Sequence, residues 1–370
     1  MESMKIKRNM TLNRPDIGLG EYISVLKVLK SGKLAQGELV NLFESQFAKL
    51  HKSDYAVACN SGTSALYLIL LGMNIGPDDE VLVPAFTFGA TANAVLMTGA
   101  RVVFVDVDLD SYNMSYEDAK NKMSKKVKAI IVVHLYGNPV NLNLFTDLAS
   151  KSGAFLIQDA AQAHLAMWDG LSIAEYGDAL AFSFYPTKNM TTIEGGMVLT
   201  NNSELAKKIS ILRNQGMSSR YAYELPGLNL RMTEISAAVG ISQLKRLVKW
   251  TTRRIKNATE LNSKIQIKSQ RVHPSAKCVY HQFTIEVDPR HRELLRQHLK
   301  ELGIESDIYY PKSLAEYPVF GSHSECPNAS SLSQSVISIP VHHKITYSRI
   351  NFLASAINSF INNKGRIGNL

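Results

Sequence analysis

The chain has 370 residues, of which 45% are hydrophobic and 20% are charged, an ordinary composition for a globular protein. This length is sufficient for a large core and a second, smaller domain. The apolar runs are too short or too interrupted to cross a bilayer, and the N-terminal residues lack the apolar core of a signal peptide. We therefore expect a cytoplasmic protein without a transmembrane helix.

The formal net charge of +9 is compatible with nucleic acid, a membrane surface or a phosphorylated small molecule as partner. Because Lys and Arg are scattered and no nucleic-acid-binding signature is present, we expect neither nucleic acid nor a membrane as partner. Cys59, Cys278 and Cys326 are far apart and include no CxxC pair. This argues against a disulfide framework and a structural zinc site, and no other set of residues has metal-ligand spacing.

Between Tyr55 and about Thr200, short apolar strands alternate with helical patterns, one of which ends at Gly153. The strands are continuous runs of Val, Ile, Leu and Phe, as expected for a sheet that helices cover on both faces. The pattern predicts an α/β domain with a central, mostly parallel, seven-stranded sheet. The predicted strands are YAVAC, VLVPAF, RVVFVDV, AIIVV, FLIQD, ALAFSFY and MVLT.

The pattern changes after a long amphipathic helix, which we predict from Asn229 to Trp250. We expect an N-terminal arm and large domain over residues 1–250 and a smaller C-terminal α+β domain over residues 251–370. In the second domain we predict strands in CVYHQFTIEVD, ESDIYYP and SVISIP, and helices in RELLRQHLKELG and SRINFLASAINSFI.

Polar residues follow several of the buried strands, where the ligands of open α/β sheets bind. In NSGTSAL, a glycine turn and hydroxyl residues open a helix, which suits an anion but is also typical of an ordinary N-cap. Asp159 closes a buried strand, so it needs a cation or several donors, although it could instead cap the next helix. Gln162 lies about one helical turn further and could face the same ligand.

Phe86 and Phe88 follow the strand VLV and could stack on a flat cofactor, although aromatic residues at such places more often belong to the core. Lys188 follows another buried strand, and a lysine in this environment can attack a carbonyl as a free amine. A phosphate cradle, a stacking ring, a carboxylate for a ring nitrogen and a lysine nucleophile are together what pyridoxal phosphate requires. His134, after AIIVV, is expected to be structural.

The chain resembles the DegT family of sugar aminotransferases over nearly its whole length. The resemblance rests on NSGTSAL, PAFTFGAT, QDAAQAH, SFYPTKNMTTIEGG and GLNLRMTEISAAVGISQL. It implies fold type I, the cofactor pyridoxal 5'-phosphate, and amino transfer from glutamate or glutamine to a keto sugar linked to a nucleoside diphosphate. The segment TTIEGG resembles the corresponding segment of the family branch that aminates position 4 of the sugar.

The resemblance also implies a role for each candidate residue. Lys188 would hold the cofactor as a Schiff base and then carry a proton between cofactor and substrate, while Asp159 would keep the pyridinium nitrogen protonated. Phe88 would stack on the ring and Gln162 would contact its 3-hydroxyl. An obligate homodimer with shared active sites is implied, because one phosphate ligand would come from the neighbouring subunit. The phosphate ligands would be Gly62, Thr63, Ser64, Ser183 and, from the neighbour, Asn229.

Two residues depart from the family pattern: Gln158 stands where Glu is frequent, and Leu165, after His164, stands where Gly is frequent. Lys188 itself favours amino transfer, because dehydratase relatives have histidine there. Two alternatives stay open. One is another reaction of the same cofactor, such as cyclitol amination or sugar dehydration, and the other is a non-catalytic regulatory or nucleic-acid-binding relative.

Overall fold

The computed structural model describes residues 9–321 and 324–367, so residues 1–8 and 368–370 at the ends of the two predicted domains lie outside the described residues. In chain order the strands are β1 (Tyr55–Cys59), β2 (Glu80–Pro84), β3 (Arg101–Val105), β4 (Val127–Val133), β5 (Phe155–Asp159), β6 (Met167–Trp168), β7 (Leu171–Ser172), β8 (Ala179–Ser183), β9 (Gly196–Thr200), β10 (Met217–Ser219), β11 (Ala222–Tyr223), β12 (Ala276–Lys277), β13 (Phe283–Glu286) and β14 (Val336–Ile339). The α-helices are α1 (Leu19–Ser31), α2 (Glu38–His51), α3 (Gly62–Gly72), α4 (Ala90–Leu96), α5 (Tyr116–Asn121), α6 (Leu142–Ser152), α7 (Ser203–Leu212), α8 (Glu234–Asn262), α9 (Pro289–Glu301), α10 (Pro327–Ser335) and α11 (Tyr347–Ile367).

A seven-stranded sheet in the order β1-β9-β8-β5-β4-β2-β3 forms the centre of the molecule. Strand β9 pairs antiparallel with β1 and β8, and the other neighbours in this sheet pair parallel. Asp159 at the end of β5 is in register with Val133 at the end of β4 and with Ala181 of β8, which continues for two more residues to Ser183. The predicted α/β architecture is confirmed, and the seven predicted strands are those of this sheet.

Both faces of the sheet are buried because successive apolar residues in a strand point to opposite sides. Leu82 belongs to a core that includes Phe43 of α2 and Leu247 of α8. Its neighbour Val83 belongs to a second core, which includes Leu68 of α3. The continuous apolar runs of the sequence therefore correspond to helices packed on both faces, as in other sheets of parallel strands.

The C-terminal part of the chain has a third core, which β13, β14, α9, α11 and the end of α8 share. Helix α8 begins later than predicted, at Glu234, because the Thr233 hydroxyl caps it by accepting a hydrogen bond from the N–H of Ser236 (3.2 Å). It continues through Trp250 to Asn262 and so contributes to both parts of the molecule. The domain boundary near Trp250 stays a prediction. No helix in the described ranges is both long and apolar enough to span a membrane.

The predicted strand ESDIYYP is wrong. Within residues 305–311 only Asp307 makes an isolated bridge, to Ser338 of β14. The Tyr309 carbonyl instead accepts a hydrogen bond from the Tyr136 hydroxyl, and Pro311 has no N–H for a strand ladder. This segment crosses the carboxyl edge of the central sheet, where it lines a cavity.

Candidate active site

A cavity of about 580 Å³ lies at the carboxyl ends of β2, β4, β5 and β8, and its size is typical of a site for a small-molecule cofactor. Seven of the nine predicted site residues line it, although they come from four separate segments of the chain. Ser64 and Asn229 do not line it. The lining residues among those predicted are Gly62, Thr63, Phe88, Asp159, Gln162, Ser183 and Lys188.

Lys188 lies in the loop between β8 and β9, which internal hydrogen bonds hold in place. The N–H of Phe184 donates to the Gly195 carbonyl (2.9 Å), and the N–H of Thr192 donates to the Phe184 carbonyl (3.1 Å). Burial lowers the pKa of Lys188 to about 8, and the attraction of Asp159 opposes that change. An amine with this pKa is partly neutral near neutral pH, which is the form that attacks a carbonyl.

Asp159 ends β5 and is buried with two neutral donors around its carboxylate. The Thr91 hydroxyl donates to one oxygen (2.8 Å), and the N–H of Ala161 donates to the other (3.1 Å). Burial raises the pKa of Asp159, while the two hydrogen bonds and the Lys188 cation lower it. A carboxylate held in this way can accept a further bond from a protonated ring nitrogen.

The beginning of α3 faces the end of β8 at very close range. Ser61 caps the helix by accepting from the N–H of Ser64 (3.1 Å), and the two hydroxyls are 2.9 Å apart. The Ser64 hydroxyl is therefore engaged within the cap. A Cβ added to Gly62 would lie 2.7 Å from the Ser183 Cβ, so only glycine leaves this gap open. The helix N-terminus and the Thr63 and Ser183 hydroxyls suit a phosphate dianion.

Of the two candidate stacking rings, Phe88 faces the cavity and Phe86 belongs to the core. Phe88 is 61% exposed, whereas Phe86 is 1% exposed. The ring of Tyr310 lies 6.1 Å from each of them, measured between ring centroids. Tyr310 thus forms a second aromatic wall of the cavity.

Gln162 lies between two tyrosines that no short-range pattern connects to it. Its Oε1 accepts a hydrogen bond from the N–H of Tyr136 (2.6 Å), and its Nε2 donates to the Tyr310 hydroxyl (3.2 Å). Burial raises the pKa of Tyr310, which therefore stays a neutral phenol. Sequence reasoning assigned no role to Thr91. The signal was its four-residue spacing from Thr87 in PAFTFGAT, which places both residues on one side of the segment that opens α4.

The two departures from the family pattern have local structural consequences. Gln158 Nε2 donates to the carbonyls of Ile173 (3.1 Å) and Tyr176 (2.5 Å), and its Oε1 accepts from His134 Nε2 (2.8 Å). Burial lowers the pKa of His134 to about 4, so this histidine is neutral and structural. Leu165 has φ of +67°, a left-handed conformation that glycine adopts more easily.

Asn229 lies on the exposed surface before α8 and forms an isolated bridge with Asn214. It does not line the cavity of its own chain. Its contact with the phosphate of a neighbouring subunit stays a prediction.

The residues of the cavity fit pyridoxal phosphate. The beginning of α3, which only a glycine lets lie this close to Ser183, matches the phosphate, the Phe88 ring matches the flat pyridine, and the buried Asp159 matches its nitrogen. The lowered pKa of Lys188 matches a covalent anchor. Fold and site together define the class of pyridoxal-phosphate-dependent aminotransferases.

Residues 16–358 match the DegT/DnrJ/EryC1/StrS aminotransferase family, and the chain belongs to this family. It is 35% identical to the dTDP-3-amino-3,4,6-trideoxy-alpha-D-glucose transaminase of Streptomyces venezuelae, with 86% of each chain covered. It is 33% identical to the GDP-perosamine synthase of Escherichia coli O157:H7, with 89% of this chain and 92% of that protein covered. The crystal structure of S. venezuelae DesV in complex with a ketimine intermediate is similar, with a TM-score of 0.89, 32% identity, and coverage of 95% and 99%. The protein is thus a pyridoxal-phosphate-dependent sugar aminotransferase.

Proposed function

We propose that this enzyme transfers an amino group from glutamate or glutamine to position 4 of a keto sugar linked to a nucleoside diphosphate, in the cytoplasm. The observation that carries the proposal is the convergence of Lys188, Asp159 and the gap at Gly62 in one cavity. Relatives named as acting on dTDP- and GDP-linked sugars support a nucleotide-linked substrate. The segment TTIEGG supports amination at position 4. The S. venezuelae relative, by contrast, is named for a 3-amino sugar.

Bound pyridoxal phosphate supplies an electron sink for the carbon that loses and gains a proton. In the proposed mechanism Lys188 would hold the cofactor covalently through Nζ, and the same Nζ, when free, would take a proton from one carbon and return it to another. A pKa of about 8 lets Nζ exist in both protonation states near neutral pH.

The other residues of the cavity bind and orient in this mechanism. Asp159 keeps a proton on the ring nitrogen, and the hydrogen bonds from Thr91 and Ala161 keep the carboxylate in place. Phe88 covers one face of the ring. The N-terminus of α3, Thr63 and Ser183 would bind the phosphate and so hold the cofactor in place through contacts separate from the covalent bond at Lys188.

We also propose a homodimer with shared active sites. Large apolar side chains are exposed at the cavity and in the neighbouring β8–β9 loop: Phe88 is 61% exposed, Ile193 54% and Tyr185 49%. Burying such side chains favours association, and a second copy of the chain is the partner that brings an Asn229 to this cavity. The dimer is tested by the molar mass in solution and by restored activity when a Lys188→Ala subunit is mixed with an Asn229→Ala subunit.

The central test is the substitution Lys188→Ala. The wild-type protein should show a visible absorbance band that borohydride fixes covalently to the chain, and Lys188→Ala should lose both the linkage and amino transfer. Lys208→Ala is the matched control, because Lys208 is a surface lysine that bonds to Asn74. Normal turnover by Lys188→Ala would overturn the assignment of the catalytic base.

The substrate is tested separately with purified wild-type protein. Keto sugars linked to nucleoside diphosphates and a keto-inositol are offered with glutamate or glutamine as donor, and the position of the new amine is read by NMR of the product. Preferential amination of the keto-inositol would overturn the nucleotide-sugar assignment, and an amine at position 3 would overturn the position.

A further inference from the structure

We propose that Tyr310 is a positioning residue that holds the Gln162 amide in one orientation against the cofactor. The inference rests on the proposed function, since it takes Gln162 as the residue that contacts the 3-oxygen of pyridoxal phosphate. Neither family pattern nor local sequence assigned Tyr310 this role.

The two hydrogen bonds of Gln162 leave its amide a single orientation. Oε1 accepts from the N–H of Tyr136 (2.6 Å), which can only donate, so Oε1 must point to it. Nε2 then points to the Tyr310 hydroxyl, to which it donates (3.2 Å). Because Nε2 carries two hydrogens and this bond uses one, the second is available to a ligand in the cavity.

Tyr310 is itself held by contacts from separate parts of the chain. Its ring packs against Phe86 and Phe88, each 6.1 Å away between centroids. The carbonyl of the preceding Tyr309 accepts a hydrogen bond from the Tyr136 hydroxyl. Tyr136 therefore binds Gln162 through its backbone and the segment before Tyr310 through its side chain. This closed arrangement gives the Tyr310 hydroxyl a fixed place from which to orient Gln162.

The consequence concerns the proton on the nitrogen that joins Lys188 to the cofactor. A donor at the 3-oxygen draws electron density from it, so that oxygen attracts the neighbouring nitrogen-bound proton less. Without the Tyr310 hydroxyl, only the Tyr136 N–H still holds the amide, and Nε2 can swing away from the 3-oxygen about that single contact. The nitrogen should then hold its proton roughly three- to tenfold more tightly, the change expected for one hydrogen bond.

The test follows the visible absorbance of the bound cofactor as a function of pH in wild type, Tyr310→Phe, Gln162→Ala and the double variant. Tyr310→Phe should move the titration midpoint upward, Gln162→Ala should move it at least as far, and the double variant should match Gln162→Ala. Such non-additivity is what a residue acting through another produces. Tyr317→Phe is the matched control: Tyr317 is 36% exposed and does not line the cavity, and its midpoint should equal that of wild type.

An unchanged midpoint in Tyr310→Phe, or additive changes in the double variant, would overturn the inference. If Tyr310→Phe does not fold, as judged by thermal unfolding without cofactor, Tyr136→Phe replaces it. That variant frees the segment before Tyr310 and keeps the backbone bond to Gln162, and it should move the midpoint in the same direction. A wild-type protein that borohydride fails to link at Lys188 would instead overturn the proposed function, and with it this inference.

Discussion

The substitution Gly62→Ala tests the phosphate cradle most directly. The new Cβ would lie 2.7 Å from the Ser183 Cβ, 3.2 Å from its Oγ and 3.3 Å from its Cα. Carbon atoms in ordinary contact are about 3.5–4.0 Å apart, so the beginning of α3 and the end of β8 must separate by about 1 Å. That movement displaces both the helix N-terminus and the Ser183 hydroxyl from the position that suits a phosphate.

Two opposing effects set the size of the change in stability. Overpacking of this kind lowers the free energy of unfolding by about 1–3 kcal/mol. Replacing glycine by alanine in a helix raises it by about 0.5–1 kcal/mol. We therefore expect the free energy of unfolding of the cofactor-free protein to fall by about 0–2.5 kcal/mol. The affinity for pyridoxal phosphate should fall by at least about tenfold, which corresponds to about 1.4 kcal/mol of binding energy.

The assay is titration of the cofactor-free protein with pyridoxal phosphate, beside thermal unfolding with and without inorganic phosphate. Gly76→Ala is the control, because the atom nearest to its added Cβ is 3.9 Å away, an ordinary contact. Wild-type affinity in Gly62→Ala would refute the view that the close approach of α3 to Ser183 positions the phosphate ligands. A loss of affinity in Gly76→Ala as large as that in Gly62→Ala would show that the effect is unspecific.

Three further outcomes are expected. Burial lowers the pKa values of His51 and His134 from 6.5 to about 4, so the unfolded chain binds more protons between these values. The free energy of unfolding should therefore fall as pH falls from 6.5 towards 4, and a flat profile in denaturant unfolding would contradict this. Burial lowers the pKa of Lys188 from 10.5 to about 8, so the cofactor-free protein should gain stability as pH rises from 8 to 10.5. Lys188→Met should lack that gain in the same measurement. Thr91→Val removes one donor to Asp159 and should weaken pyridoxal phosphate binding about five- to tenfold by equilibrium dialysis, with Thr252→Val on the exposed side of α8 as the control.

Much of the fold follows from short-range patterns in the sequence. The central strands could be predicted because two-sided burial requires continuous apolar runs, and Leu82 and Val83 do pack into different cores. Lys188 and Asp159 could be predicted to meet because both follow strands of one sheet, at the edge where ligands bind.

The rest of the site depends on contacts between distant residues. Gln162 meets Tyr136 across 26 positions and Tyr310 across 148, and no periodicity relates residues so far apart. The segment 305–311 has the composition of a strand, yet its Tyr309 carbonyl bonds to a side chain and its neighbours line the cavity. Tertiary contacts determine its conformation, which is why the predicted strand was wrong.

The loop that carries Lys188 joins β8 and β9, which are adjacent strands of the central sheet. Asp159 ends β5, which is the other neighbour of β8. Tyr309, Tyr310 and Gln282 reach the same cavity from the C-terminal part of the chain. Residues of the central sheet and residues far along the chain thus form one cavity together. Substitutions at Ile308 or Tyr309 can therefore reshape the wall of the cavity while Lys188 and Asp159, which the sheet positions, keep their spacing.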